Sequence, residues 1–321
     1  MSIIYLTEAD VMQLLDVRMA IDAVSEAFLR LASGEAENVP RHRCRAGGTV
    51  QHTMSAAAGY LGLVGWKNYT TTREEAKFQL GLYHATTGDM IALVEADRLG
   101  QLRTGAVSGV AISHLTDETI DSLGMIGTGW QAQSQLAAAC AVRGIQTAKV
   151  YSRNEESRRA FAQMMSADLG IEVIAVDQPQ QAVTDQPLVI TATNSREPVI
   201  QGDWLASRAT VCAVGSNWLN RAELDVETIR RAGLIVCDSI ECCQLEAGDF
   251  TEPLEQGVFD FAGAIELADL VSGKFVPDRT AQDITIFKSV GMAIEDVAVG
   301  GWLLEMARAS GVGRVLQTAP G

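Results

Sequence analysis

The stretch Ser122-Leu-Gly-Met-Ile-Gly-Thr-Gly-Trp-Gln-Ala-Gln-Ser-Gln-Leu-Ala-Ala-Ala139 leaves this chain few choices of fold. It passes from a short apolar strand, 123–126, through a glycine turn into a helix-forming run, 131–142. Within it, Gly127-Thr-Gly129-Trp-Gln-Ala132 fits G-x-G-x-x-A. The first glycine allows the tight turn, the second lets the backbone approach a pyrophosphate, and the third small residue permits close packing of helix on strand. The start of the helix offers unpaired N–H groups and a positive dipole end to the same anion. Ala148-Lys-Val-Tyr151 reads as a second strand. That context separates a dinucleotide site from a pattern arising by chance in a chain with 29 glycines.

Further strand runs at 172–176, 187–191, 210–214, 234–237 and 284–288 alternate with helical ones, as a doubly wound sheet requires. The N-terminal part differs. Thr7 and Asp16 stand where helix caps belong, and a broad apolar face (Met19, Ile21, Ala23, Val24, Phe28, Leu31) runs up to Gly34. Strands at 48–54, 60–69, 78–83 and 90–95 follow, with His84 to Asp89 as a turn, and predict an antiparallel meander. A helix over 99–115 carries Gln101, Arg103 and Thr104 in its first turn, and a last long helix spans 292–308. The expected fold is therefore α/β: a Rossmann doubly wound parallel sheet at 117–290, plus a smaller α+β domain at 1–116 with an antiparallel sheet. Residues 291–321 pack back on that smaller domain.

Composition narrows the function. With 321 residues and 47% hydrophobic content, the chain can fill two cores. A formal charge of -15 opposes nucleic acid and anionic membranes, and no apolar run approaches the ~18 residues of a membrane span. The first ten residues lack a basic region and a long apolar core, so the cytoplasm is the expected compartment. Six cysteines show no C-x-x-C pair and no histidines at zinc spacing, which predicts no metal. Cys140, Cys212 and Cys237 fall in apolar patterns that suit buried, inert thiols.

Chemistry beyond the glycine turn starts from Lys67, which follows Leu63-Val-Gly-Trp66 in an otherwise neutral strand. A partly desolvated lysine there can donate a proton or pair with a carboxylate. Val39-Pro-Arg41, His52-Thr-Met54, Gly65-Trp-Lys67, Leu99-Gly-Gln-Leu-Arg-Thr-Gly-Ala106, the glycine turn, Thr191-Ala-Thr-Asn194, Val214-Gly-Ser-Asn217 and Ala293-Ile-Glu-Asp296 together resemble the landmarks of the ornithine cyclodeaminase/mu-crystallin family. The resemblance spans nearly the whole chain. It implies a small dimerising N-terminal domain, a Rossmann domain for a nicotinamide cofactor, a substrate cleft between them, and hydride transfer between nicotinamide C4 and an amino-acid or imine carbon. It also implies that Arg41, Lys67 and Arg103 grip the substrate carboxylate, with Arg43 and Arg45 standing close to Arg41 in sequence. Gly127, Thr128, Gly129, Trp130 and Gln131 match the pyrophosphate turn. Thr193 matches the loop beside the cofactor, and Val214 to Ser216 the strand end near the nicotinamide. Thr104, next to Arg103, is assigned to the cofactor as well.

Two departures from the family pattern point away from cyclodeamination. Asn217 stands where cyclodeaminating members carry Asp, and His52 where they carry Glu. An amide cannot manage the protons of attacking and leaving amines. Asn217 retains hydrogen-bonding capacity, and His52 is expected either to titrate near neutrality as a proton donor or to read a polar substrate group. At the end of the second strand, Ser152-Arg153-Asn154 offers an arginine and a hydroxyl to a 2′-phosphate, with no acid at the usual ribose position. This favours NADP(H) over NAD(H), with Glu155 and Glu156 as the nearby acids. The expected activity is NAD(P)H-dependent reduction of an imino acid, a cyclic ketimine such as a pyrroline or piperideine carboxylate, reversible as an amino-acid dehydrogenase, in a homodimer. The alternatives are an open-chain imino-acid reductase resembling alanine dehydrogenase, a cyclodeaminase, and a non-catalytic cofactor binder. Joint retention of Lys67, Arg41 and Arg103 argues against the last.

Overall fold

The computed structural model describes residues 2–278 and 283–317. Two units divide the chain, Met1–Ala106 with Met292–Gly321 and Val107–Gly291. The division falls inside the helix Asp97–Leu115, whereas the sequence placed it after that helix, at 116.

The first unit is built on a 7-stranded sheet. Its order is Arg314–Gln317, Ser2–Leu6, Met90–Glu95, Ala76–His84, Leu63–Thr71, Thr49–Ala58, Ala36–Ala46. The meander is antiparallel throughout, but Ser2–Leu6 joins it parallel to Met90–Glu95, so the complete sheet is mixed. Three of these strands escape the sequence pattern. Ala36–Ala46 carries Pro40 and three arginines because it is an edge strand, where charge and proline are tolerated. Ser2–Leu6 and Arg314–Gln317 are short and gain their partners only from distant parts of the chain.

Two capped helices, Glu8–Leu14 and Val17–Ser33, begin at Thr7 and Asp16, and Gly34 ends the second at φ 78. The helix Ala293–Ser310 is buried along most of its length and packs on the second of these helices and on the meander. The helix Asp97–Leu115 is capped from outside, because the Glu8 carboxylate accepts from the N–H groups of Asp97 (2.6 Å) and Arg98 (3.0 Å).

The second unit is an 8-stranded sheet, parallel at every pairing. Its order is Ile265–Glu266, Ala232–Cys237, Ile284–Lys288, Thr210–Ala213, Leu188–Thr191, Ser122–Ile126, Thr147–Tyr151, Glu172–Ala175. The chain runs outward from Ser122–Ile126 and then returns to lay Leu188–Thr191 on its other side. The carboxyl ends of these two strands form the topological switch point, where a doubly wound sheet binds ligands. Each predicted strand of this unit is present within two residues of its expected ends, and only the two-residue Ile265–Glu266 is additional. Cys212 and Cys237 are buried and Cys140 partly so. Burial pushes the Cys140 thiol up to about 11 and Cys212 up to about 12, which keeps both protonated. Among the described residues no helix is long and apolar enough to cross a membrane.

Candidate active site

In the first unit, the strand Leu63–Thr71 alternates so that Leu63, Gly65, Lys67 and Tyr69 share its buried face. Lys67 is therefore a core residue, 1% exposed. A Cβ on Gly100 would lie 3.0 Å from the Lys67 amine, so the glycine leaves the amine its space. Lys67 Nζ donates to Asp296 Oδ1 at 2.6 Å. Arg103, one helical turn beyond Gly100, donates from Nε to the same oxygen (3.2 Å) and from Nη1 to Glu295 Oε2 (2.6 Å). Glu295 and Asp296 lie in the first turn of Ala293–Ser310, where the helix dipole favours negative charge. In the sequence this pair stands only as one of the landmarks of the family pattern. Acids in the first turn of an apolar helix were the available signal, but nothing local ties them to a lysine 229 positions away.

Arg41 is 8% exposed and donates from Nε to Met54 Sδ at 3.3 Å. Its guanidinium and the Lys67 amine each lie 6.0 Å from the Tyr69 ring centre. Of the three neighbouring arginines, Arg41 alone is buried on its strand. Arg43 is half-buried and Arg45 exposed.

Burial first, then the charge of Arg103, pushes the Lys67 amine down to about 8, against the pull of Asp296. Arg103 is also penalised by burial, but Asp296 and Glu295 outweigh that and hold it more firmly protonated.

The expectation that His52 titrates near neutrality is corrected here. Burial, followed by the charges of Arg43, Arg41 and Arg45, pushes it down to about 3. Arg43 Nε donates to His52 Nδ1 (3.2 Å), so the ring proton sits on Nε2, 3.1 Å from Thr71 Oγ1. The ring stacks on Tyr69 at 4.1 Å. The lowered pKa favours a neutral ring, with Nδ1 engaged by Arg43 and Nε2 by Thr71. Thr104 lies in this unit, and its hydroxyl donates back to Gly100 O (2.7 Å).

In the second unit, a cavity of about 1010 Å³ opens at the switch point. Its walls include Gly127 to Gln131, Ser152 to Asn154, Thr193 to Ser195, Val214 and Gly215. Gly127 has φ 109, and a Cβ there would meet Ala192 O at 2.3 Å, so only glycine fits. Gly129 caps the helix Trp130–Val142 without a side-chain hydrogen bond, and a Cβ there would point into open space. The first turn thus presents its N–H groups to a cradle shaped for an anion, which fits the pyrophosphate of a dinucleotide.

Thr128 Oγ1 donates to Ser152 Oγ (2.8 Å), joining the glycine turn to the second strand end. Asn154 spends its side chain capping the next helix, accepting from Ser157 N at 2.8 Å. Ser216, by contrast, does not line the cavity: its hydroxyl donates to Arg221 O (3.1 Å), and its carbonyl accepts from Lys288 Nζ (2.9 Å). Asn217 follows it in the same loop. A smaller hollow of about 230 Å³ at the amino ends of the strands, lined by Pro187, Thr210 and Ile284 among others, holds none of the motif residues.

The sequence matches the ornithine cyclodeaminase/mu-crystallin family over residues 2–311. It is 35% identical over 232 residues to a Delta(1)-pyrroline-2-carboxylate reductase of Bacillus cereus, covering 72% of this chain and 71% of the relative. The structure of Thermococcus litoralis Delta(1)-pyrroline-2-carboxylate reductase with NADH and L-proline superimposes with a TM-score of 0.93 at 32% identity, over 97% of this chain and 99% of that one. An archaeal alanine dehydrogenase dimer with bound NAD superimposes with a TM-score of 0.92 at 28% identity, over 99% of both chains.

Proposed function

From the premise that the chain belongs to the ornithine cyclodeaminase/mu-crystallin family, we infer that it is a nicotinamide-dependent imine reductase acting on a small imino acid. One observation carries this reading. In the buried cluster of the first unit, the three cations Lys67, Arg41 and Arg103 are set against the two carboxylates Asp296 and Glu295. Guanidinium and ammonium donors gathered in a desolvated site are what recognition of a small carboxylate requires. Arg41 and Arg103 hold that carboxylate, since guanidinium groups match its geometry. Lys67 keeps the imine nitrogen protonated, and its lowered pKa suits a donor working near neutral pH. The bound nicotinamide supplies the hydride, and the residues at the second unit's cavity hold the dinucleotide.

A cyclic ketimine, a pyrroline or piperideine carboxylate, is the preferred substrate. It needs one carboxylate site and one proton donor, as this cluster provides, and the relatives named as pyrroline-2-carboxylate reductases support it. NADP(H) is the preferred cofactor. Arg153 is exposed at the cavity wall and makes no ion pair among the described residues, while Glu155 is turned to Arg159 at 2.7 Å. A homodimer is the expected assembly, supported by the dimeric archaeal relative.

The test is NAD(P)H oxidation against preformed cyclic imines and against 2-oxo acids with ammonia or methylamine. Turnover fastest on the cyclic imines is expected. Cofactor binding without turnover on any of them overturns the reading in favour of a binder. Preference for NADH by more than about tenfold, ~1.4 kcal/mol, overturns the cofactor choice alone.

A further inference from the structure

Beneath the cavity of the second unit lies a buried polar stack that neither the glycine turn nor the substrate cluster uses. Glu223 is 0% exposed. Its Oε1 accepts from Thr193 N at 2.6 Å. Its Oε2 accepts from Gly215 N at 2.7 Å and from Thr191 Oγ1 at 3.0 Å. Its backbone carbonyl accepts from Val199 N at 2.8 Å. Thr193 and Val199 belong to the loop after Leu188–Thr191 and Gly215 to the loop after Thr210–Ala213, and all three line the cavity. We propose that Glu223 is a positioning residue for the cofactor, a single carboxylate that sets the spacing of the cavity's far wall.

The fit around it is close. A Cβ on Gly215 would lie 2.2 Å from Thr193 O and 2.4 Å from Glu223 Oε1, so the two loops touch across the carboxylate with no room for a side chain. Gly127 packs on the neighbouring Ala192 O in the same way, which links the pyrophosphate turn to this wall. Glu223 is itself fixed from below. Asp249 Oδ1 accepts from the N–H groups of Glu223 (2.5 Å) and Leu224 (3.0 Å). Lys288 pairs with Asp249 at 2.7 Å and donates to Ser216 O at 2.9 Å. Lys288, Asp249 and Glu223 are all fully buried or within 1% of it, so water cannot replace any member.

An amide at 223 would place an NH2 group against one of two N–H donors, because an ionised carboxylate is acceptor-only and an amide is not. One loop would have to move. The inference rests on the reading of this cavity as a dinucleotide site, and the experiment separates the two.

Dissociation constants of NADPH and NADH are read from quenching of Trp130 and Trp204, which line the cavity, in the wild-type chain, Glu223→Gln, Glu223→Asp and Thr191→Val. Glu223→Gln is expected to weaken the preferred cofactor about tenfold or more, ~1.4 kcal/mol, with kcat at saturating cofactor within about twofold of wild type. Glu223→Asp keeps the charge but not the reach, and falls between. Thr191→Val removes one of the three bonds and keeps the shape, so it tests the proposal even if Glu223→Gln does not fold. A weakening of about threefold is expected for it. Leu270→Ala, a core change elsewhere in this unit, should lower Tm without moving either constant. Wild-type binding with unchanged affinity in Glu223→Gln or, where that variant does not fold, in Thr191→Val overturns the proposal. A wild-type chain that binds neither cofactor overturns the reading of the cavity.

Discussion

Asp296→Asn keeps the shape of the buried cluster and removes one charge, so its effect can be worked out in advance. Asp296 Oδ1 is shared by Lys67 at 2.6 Å and Arg103 at 3.2 Å, with both acids 0% exposed. Removing one partner of a buried ion pair costs about 3–5 kcal/mol, because the charge left behind stays desolvated. If about two thirds of that, ~2.7 kcal/mol, falls on the ammonium form of Lys67, at 1.36 kcal/mol per pH unit, its titration moves toward acid by about two pH units. Lys67 starts at about 8. At pH 7.5 its protonated fraction then drops from roughly three quarters to a few per cent, a loss of roughly 25-fold in kcat/KM. The assay is the pH profile of imine reduction between pH 5 and 10 at saturating cofactor. Wild type should lose activity as pH rises through about 8, where Lys67 gives up its proton. In Asp296→Asn the falling limb should lie at lower pH, and most of the activity should return near pH 5.5. A uniform loss with the limb unmoved would refute Lys67 as the titrating donor, and a limb moved to higher pH would refute the electrostatics.

Other substitutions probe the remaining parts. Lys67→Arg keeps a charge that does not titrate in this range, so the alkaline limb should vanish and kcat should fall at least tenfold, while cofactor affinity stays within about twofold of wild type. Arg153→Ser should lower the NADPH over NADH ratio of kcat/KM by about tenfold to a hundredfold, and an unchanged ratio would remove Arg153 from 2′-phosphate recognition. Gly127→Ala sets a methyl 2.3 Å from Ala192 O at a φ that only glycine adopts freely, so cofactor binding should be lost by the same fluorescence titration. His52 takes up protons in the unfolded chain near 6.5 and in the folded chain only near 3. Stability should therefore fall as pH drops across that interval, and His52→Gln should flatten the dependence of the urea midpoint.

The second unit was legible in the sequence because a parallel sheet writes itself locally. Its strands are short, mainly apolar runs, and the glycine turn is contiguous from Gly127 to Ala132. The first unit was legible where alternation carried the pattern, as in Leu63, Gly65, Lys67 and Tyr69. It was not legible at Ala36–Ala46, where edge position rather than burial selects the residues. The composition of the site failed in the same manner. Lys67, Arg41 and Arg103 could be proposed from the family pattern, but the tie to Asp296 spans most of the chain and leaves no local trace. Of the two roles open to His52, the titration near neutrality was not legible, because a histidine's pKa follows its surroundings. Burial, followed by three nearby arginines, is a property of the folded sheet rather than of the residue.

The return of Ala293–Ser310 to the first unit also sets an order of events during synthesis. Lys67 and Arg103 leave the ribosome long before Glu295 and Asp296, and the apolar face of the meander waits equally long for the helix that covers it. Every strand of the parallel sheet lies within residues 122–288, so the nucleotide unit can complete itself first, while the N-terminal sheet still lacks the helix that covers it. Truncation before residue 293 should therefore yield a folded nucleotide unit trailing an aggregation-prone N-terminal half, and the full chain should refold with a slow phase reporting closure of that long loop.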